Sequence, residues 1–317
     1  MNQDAFVAKR QADWVLLDSW LGDDRPMDGH DIPRRYRQLC QDLALAQSRR
    51  YSPALIQQLE NRVLGVHRRF YRRPSRLLQR IGQYLVWEFP RNVRREWRLL
   101  SIASGLFYLP LIALLIAVQW SPELVYSVLP VDQVGKMEEM YDPASSVLGR
   151  ERSSDSDFQM FGFYIFNNTG IGFRTFAAGL LFGLGSAFFL VYNGVVLGAV
   201  AGYLTDLGHI DTFWGFVVGH SAFELTAVVL SGTAGLRLGF ALLAPGRRSR
   251  RLALIEAGRQ GMGLVYGAAG LFILAAFVEA FWSSTTWPPV AVKYAVGAVL
   301  WTLVLAYFLL LGRPRGA

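Results

Sequence analysis

The chain has 317 residues, 52% of them hydrophobic and only 18% charged, with 31 glycines and a positive mean hydropathy. This is too apolar for an ordinary soluble domain and predicts a polytopic all-α membrane bundle. The net charge of +8 sits mostly beside apolar stretches, which points to anionic lipids and away from nucleic acid, and the lone Cys40 excludes an intrachain disulfide framework.

Residues 1–98 contain no apolar run as long as the ~18 residues a membrane span needs, and no cleavable leader pattern, so a cytosolic helical region ahead of an uncleaved anchor is expected. Three helices are predicted, over 3–20, 31–48 and 53–72. Tyr36, Leu39, Leu43 and Ala46 recur at helical spacing, as do Leu55, Leu59, Val63 and Val66, and Pro26, Gly29, Pro33 and Pro53 punctuate them. A basic amphipathic stretch follows, with Leu78, Ile81, Leu85 and Phe89 on one face. Its Arg80, Arg91, Arg94, Arg95 and Arg98 are expected either to touch lipid headgroups or to act only as a topogenic charge cluster.

Residues 99–312 are expected to form the membrane bundle. The first span, 99–120, carries no charge. Residues 121–170 read as an acidic external loop, with Glu123, Asp132, Glu138, Glu139, Asp142, Glu151, Asp155 and Asp157, ending in an interfacial segment or folded-over loop at 158–168. The apolar region 171–207 is too long for one span, and Asn193-Gly194 reads as its turn, giving spans over 171–192 and 195–207, the second short or re-entrant. Further spans are predicted over 212–230, continuing to 243, and over 262–282 and 290–311, about six in all. The arginines between 68 and 98, the RRSRR cluster at 247–251 and the Arg313/Arg315 tail then share one side, so both termini are expected in the cytoplasm. Glycines repeat at four-residue spacing at Gly179/Gly183, Gly198/Gly202, Gly215/Gly219, Gly235/Gly239 and Gly263/Gly267, a pattern that closes helix pairs within one subunit or joins two in a homo-oligomer.

Phosphate-binding glycine loops, HExxH, CxxC pairs, GxSxG and EF-hand loops are absent from the sequence, so neither an enzyme nor a cofactor is expected. The candidate chemistry is the ionisable set within the spans. His220 and Glu224 lie four apart on one helix face, while Arg174 and Glu279 are each expected near the outer end of a span. Counting rise from the outer boundary sets Glu279 well above His220 and Glu224, so a shared three-ligand metal site looks strained. Two readings remain open: a structural His220–Glu224 hydrogen bond with an Arg174–Glu279 ion pair, or a water-filled polar pocket open to the outside. Ser221 adjoins His220 but points about 100° away, so a nucleophile–base pair is disfavoured.

The segments FYIFNNTGIGFRTFAAGLLFGLGS, VYNGVVLGAVAGYL, FWGFVVGHSAFELTAVVLSGTAGLRLG and AAFVEAFWS resemble the stage II sporulation protein M family in its non-sporulating version. RYRQLCQDLALAQ, HRRFYR and FPRNVR are similar to the cytosolic region of its longer members. The resemblance implies an inner-membrane protein without enzymatic activity, a scaffold recruiting peptidoglycan-degrading enzymes, with MoxR-type ATPases, von Willebrand factor A-domain proteins and RDD membrane proteins as associates. It carries over Asn167, Asn168, Asn193, His220, Glu224 and Glu279 as matching positions. The long N-terminal region departs from the short sporulation members and puts a literal sporulation role in doubt. The expected function is a scaffold for envelope complexes, engaging partners through the external loop and the cytosolic helices. The alternative is a transporter or channel using the His220/Glu224 pocket.

Overall fold

The computed structural model describes residues 2–22, 32–71, 77–144, 148–149 and 156–313. Expectations that rest on Pro26, Gly29, Glu151, Asp155 or Arg315 lie outside the described residues. Among the described residues every regular element is helical. The chain divides into two compact units, Met1–Arg80 and Ile81–Ala317.

In the first unit α1 (Gln3–Gly22), α2 (Ile32–Ser48) and α3 (Pro53–Tyr71) form close to where the apolar periodicity places them. Their apolar stripes meet in one core of Phe6, Trp14, Leu17, Leu39, Leu55, Leu59 and Val66. Polar groups close its rim. Arg62 grips Asp18 with a two-pronged contact at 3.0 and 2.9 Å, and the buried Asp42 accepts from Arg10 Nε and Trp14 Nε1, each at 3.0 Å.

The boundary between the two compact units falls at residue 80, ahead of the first long apolar helix, and packing gives the reason. A stretch of α4 (Leu77–Gln83), a π turn (Tyr84–Glu88) and α5 (Phe89–Arg95) leads into the bundle. Phe89 and Val93 are buried there with Phe107, Leu230 and Leu264. The Phe89 ring fills the space where a Cβ on Gly267 would stand 2.0 Å away. The expected amphipathic face therefore splits: Leu78, Ile81 and Leu85 are exposed and Phe89 is not. Among the basic residues Arg80 and Arg91 are exposed, Arg98 lies over the Trp97 ring, and Arg95 stands 3.6 Å from Glu96. Arg94 instead turns inward and donates to the Phe308 carbonyl at the end of the last helix, a helix-terminal oxygen with no partner of its own in that helix.

The bundle continues with α6 (Trp97–Trp120), the short α7 (Val125–Val128), α8 (Val131–Met140), α9 (Asp157–Ala177), α10 (Leu184–Asp206), α11 (Ile210–Leu243), α12 (Arg250–Val278) and α13 (Val290–Leu310). Among the described residues five helical stretches are long and apolar enough to cross a membrane: α6, α10, α11, Arg250–Ser283 and α13. The most apolar window of α11 is 61% buried, against 11% for α6 and 17% for α13, so α11 is the central post and those two are peripheral.

Two expectations about this region are corrected. Asn193 and Gly194 do not form a turn; they lie in mid-α10, an uninterrupted helix of 23 residues, long enough to cross a membrane. Gly194 is there for close packing, since a Cβ would fall 2.3 Å from the Phe107 carbonyl oxygen of α6. The chain reverses earlier, at Phe182 and Gly183, whose φ angles of 54° and 83° are left-handed. Consequently the predicted 171–192 and 195–207 become α9 and α10, and 158–168 belongs to α9. The described part of the acidic 121–170 region is not a free loop either. Val125 of α7, Leu129 between the two helices and Val134 of α8 are buried against Val118, Leu204 and Phe213.

Candidate functional site

Helix α11 holds His220 and Glu224 on one face, with His220 Nε2 and Glu224 Oε2 3.6 Å apart, longer than a hydrogen bond. The imidazole is anchored by its other nitrogen, Nδ1, which pairs with Ser283 Oγ at 3.1 Å. Ser283 closes a π turn, Glu279–Ser283, that widens the end of α12 and presents Glu279 and Ser283 to α11, an irregularity frequent at functional sites. Glu279 in turn accepts from Asn168 Nδ2 of α9 at 3.4 Å, and Asn168 Oδ1 accepts from Asn167 at 3.0 Å.

His220, Glu224 and Glu279 therefore share one site, and their ligating atoms all lie within 4.8 Å of one another. Counting helical rise from one outer boundary separates Glu279 from His220 only if all helices end at one level. They do not: Ser283, at the end of the α12 stretch, meets His220, so the 210–219 segment of α11 runs on past that level. His220 and Glu279 are only 5% and 8% exposed, and the Glu224 side chain keeps 20% of its surface. Burial of two carboxylates so close together is costly unless a cation, a proton or strong donors compensate.

Tyr141, Leu148 and Gly149, from the described part of the segment between α6 and α9, form a cap over this cluster. The Thr212 hydroxyl donates to the Tyr141 carbonyl at 2.6 Å, and the Tyr141 ring stands edge-on to Phe213 and Phe216, with Phe216 in turn edge-on to His220. Leu148 N–H donates to the Ser284 carbonyl at 3.3 Å, and the Tyr164 hydroxyl donates to the Gly149 carbonyl at 2.9 Å. Gly149, at φ 71°, lies flat against Phe216, where a Cβ would come within 2.3 Å of the ring. The Tyr141 phenol is held well above its ordinary pKa, first by burial and then by the charges of Glu279, Tyr164 and Glu224, which puts it in the field of both carboxylates.

The remaining candidate residues are elsewhere. Arg174 lies near the α9 end that turns into α10, not beside Glu279, and its Nε donates to Gly170 O at 3.2 Å within its own helix, so the expected Arg174–Glu279 ion pair does not form. The helix that carries Arg174 starts at Asp157 rather than 171, which puts Arg174 in its last turn instead of its first. Asn193 donates to Phe189 O on α10 at 2.7 Å. Ser221 takes Trp301 Nε1 at 3.1 Å and makes no pair with His220. Sequence reasoning missed Ser283 and Tyr141. Ser283 follows Glu279 by four residues, a spacing that would have paired them on one helix face; Tyr141 carries no local signal, because its place depends on how the cap folds back.

A family model described as Stage II sporulation protein M matches residues 104–284, a range that contains every residue of the cluster. A second model, a domain of unknown function, DUF8413, matches residues 4–72 in the N-terminal unit. No curated protein and no solved structure matches the chain.

Proposed function

The chain belongs to the stage II sporulation protein M family, and from that premise we propose that it is a non-catalytic scaffold of the bacterial inner membrane. In this reading both termini face the cytoplasm, α7 and α8 face outward, and partners in envelope or peptidoglycan remodelling dock on the outer cap and on the cytosolic helices. The observation that carries the reading is the backbone-to-backbone closure of the bundle. Cβ atoms at Gly179, Gly198 and Gly239 would fall 2.1–2.3 Å from backbone atoms of Gly235, Leu111 and Gly183 respectively. Seams with no side chain between them leave little room for helices to slide or rock, which suits a rigid platform better than an alternating-access carrier.

The test is crosslinking in cells followed by affinity purification and mass spectrometry. Removing residues 121–157 is a poor probe, because Val125, Leu129 and Val134 are part of the core. Reversing the exposed charges Glu123→Lys and Asp132→Lys leaves that core alone. Loss of envelope proteins from the double variant at unchanged abundance supports the scaffold. Recovery of the same proteins by both forms removes the outer cap as the docking surface.

A second reading, a transporter or channel, is favoured by one observation, the buried ionisable cluster of His220, Glu224 and Glu279. It requires a flux in proteoliposomes that Glu224→Gln abolishes while partner recovery stays intact.

A further inference from the structure

We propose that His220 Nε2, Glu224 and Glu279 form a binding site for one divalent transition-metal ion of the zinc class, which pins α11 to the π turn of α12 beneath the cap. The inference does not depend on the scaffold reading, since either a scaffold or a carrier can hold such an ion.

Three independent features of the cluster fit this ligand. The first is geometry. Metal–nitrogen and metal–oxygen bonds of about 2.0–2.1 Å around a tetrahedral centre set ligand atoms about 3.4 Å apart. His220 Nε2 and Glu224 Oε2 stand at 3.6 Å, and the Glu279 ligand atom lies within 4.8 Å of both. A carboxylate rotation closes the rest of that gap.

The second feature is how the imidazole is held. A metal-bound histidine keeps its lone pair on one nitrogen and donates N–H from the other to a neighbouring acceptor, which fixes the ring. Ser283 Oγ stands at the Nδ1 side at 3.1 Å. With the proton on Nδ1, the 95%-buried His220 aims an unprotonated Nε2 at the two glutamates. Asn168 does the equivalent for Glu279, donating to Oε2 at 3.4 Å and leaving Oε1 for the ion.

Charge is the third. Two carboxylates and a neutral imidazole sum to the charge that one divalent cation cancels. Among the described residues no lysine or arginine forms an ion pair with either glutamate. Lys293 Nζ is engaged on the carbonyls of Ser283 and Thr285, and Arg174 on Gly170 of its own helix. Donors of this kind, one nitrogen and two carboxylate oxygens, suit zinc or manganese better than calcium, which takes more oxygen ligands, or copper(I), which prefers sulfur. The partial exposure of Glu224 leaves a side from which a water completes the coordination.

The experiment uses the intact chain, purified in detergent through a histidine-free affinity tag, loaded with zinc and desalted, with the metal counted by inductively coupled plasma mass spectrometry. About one zinc per chain is expected in the wild type and in His67→Gln, whose imidazole lies outside the cluster. His220→Ala, Glu224→Gln and Glu279→Gln should each fall below about a tenth of that, and Ser283→Ala should weaken affinity by about 10–100-fold. Zinc content in the wild type no higher than in the Glu224→Gln/Glu279→Gln double variant overturns the site. Because the variants can fail to fold, X-ray absorption at the zinc edge is measured on the wild type alone. One imidazole and light oxygen scatterers at about 2.0–2.1 Å support the assignment, and a shell of oxygens without imidazole refutes it.

Discussion

In Met1–Arg80 the buried positions are large, Phe6, Trp14, Leu17, Leu39 and Leu59, and the rim is closed by pairs such as Arg62–Asp18. In Ile81–Ala317 large side chains such as Phe107, Phe272 and Leu264 are buried as well, but the 227–239 segment of α11 gives seven of its thirteen positions to Ala, Gly, Ser and Thr, while Leu109, Trp120, Phe158 and Phe166 stand outside at 70–86% exposure. The difference teaches which solvent each unit was built for. Water drives large apolar groups inward, whereas lipid is as apolar as leucine and offers no such drive, so helices there associate through close packing of small residues. The first unit should accordingly fail when its core is emptied and the second when its core is filled.

The largest effect is expected from filling. In Gly235→Leu the new Cβ would stand 2.1 Å from Ser186 Oγ and 2.9 Å from the carbonyl oxygens of Thr175 and Phe176, and backbone cannot yield as a side chain can. Loss of monodisperse protein on size exclusion in detergent is the expected outcome. Gly258→Leu, on α12 with nothing within 4 Å, is the matched control and should behave as wild type. If both variants behave alike, close glycine packing is not what closes the bundle.

Emptying comes next. Leu59 on α3 is fully buried, and Leu59→Ala should cost about 2–5 kcal/mol through lost burial and the cavity left behind. Hydrogen exchange on the intact chain reads this locally, and α1–α3 should lose protection while α10–α12 keep theirs. A smaller loss, about 1–3 kcal/mol, is expected of Asp42→Ala, which leaves Trp14 Nε1 buried without its acceptor. The same exchange profile measures it, and a double variant with Trp14→Phe should recover part of the loss, because the buried indole donor is then no longer stranded.

The two units were also unequally legible from sequence, for the same physical reason. Water imposes a one-sided apolar stripe, so Tyr36, Leu39, Leu43 and Ala46 declare α2 and Leu55, Leu59, Val63 and Val66 declare α3. Membrane helices are apolar on every side, so their existence is plain and their ends are not. Asn193-Gly194 carries the local signature of a turn, yet Gly194 serves the α6 interface, and the true reversal at Phe182-Gly183 has no polar marker. That misplaced turn propagated into the site by putting Arg174 at the wrong end of its helix. His220, Glu224 and Glu279 are legible as candidates because ionisable groups in an apolar run need partners, and Asn168 only through the family resemblance. Their convergence is not, since the stagger of α11 against the π turn of α12 is a tertiary fact that no spacing encodes.

The smallest predicted effect is the sharpest discriminator of solvent. Leu109 on α6 is 70% exposed in the bundle, so a count of buried surface alone makes its truncation free and its replacement by a polar group harmless. In a bilayer only the first half of that statement holds. Leu109→Ala should change stability in lipid nanodiscs by less than about 0.5 kcal/mol, because few protein contacts are lost. The comparison residue is Leu16 on α1, 43% exposed in the N-terminal unit, where Leu16→Ala should be equally mild if that surface faces water. Replacing each by Gln then separates them. Leu16→Gln gives an amide to water and should again be nearly silent, while Leu109→Gln places an amide with no partner against lipid chains and should lower yield in the membrane fraction. Equal tolerance of Gln at both positions would mean that α6 does not face lipid at Leu109, and that the contrast between the two units reflects packing density rather than solvent.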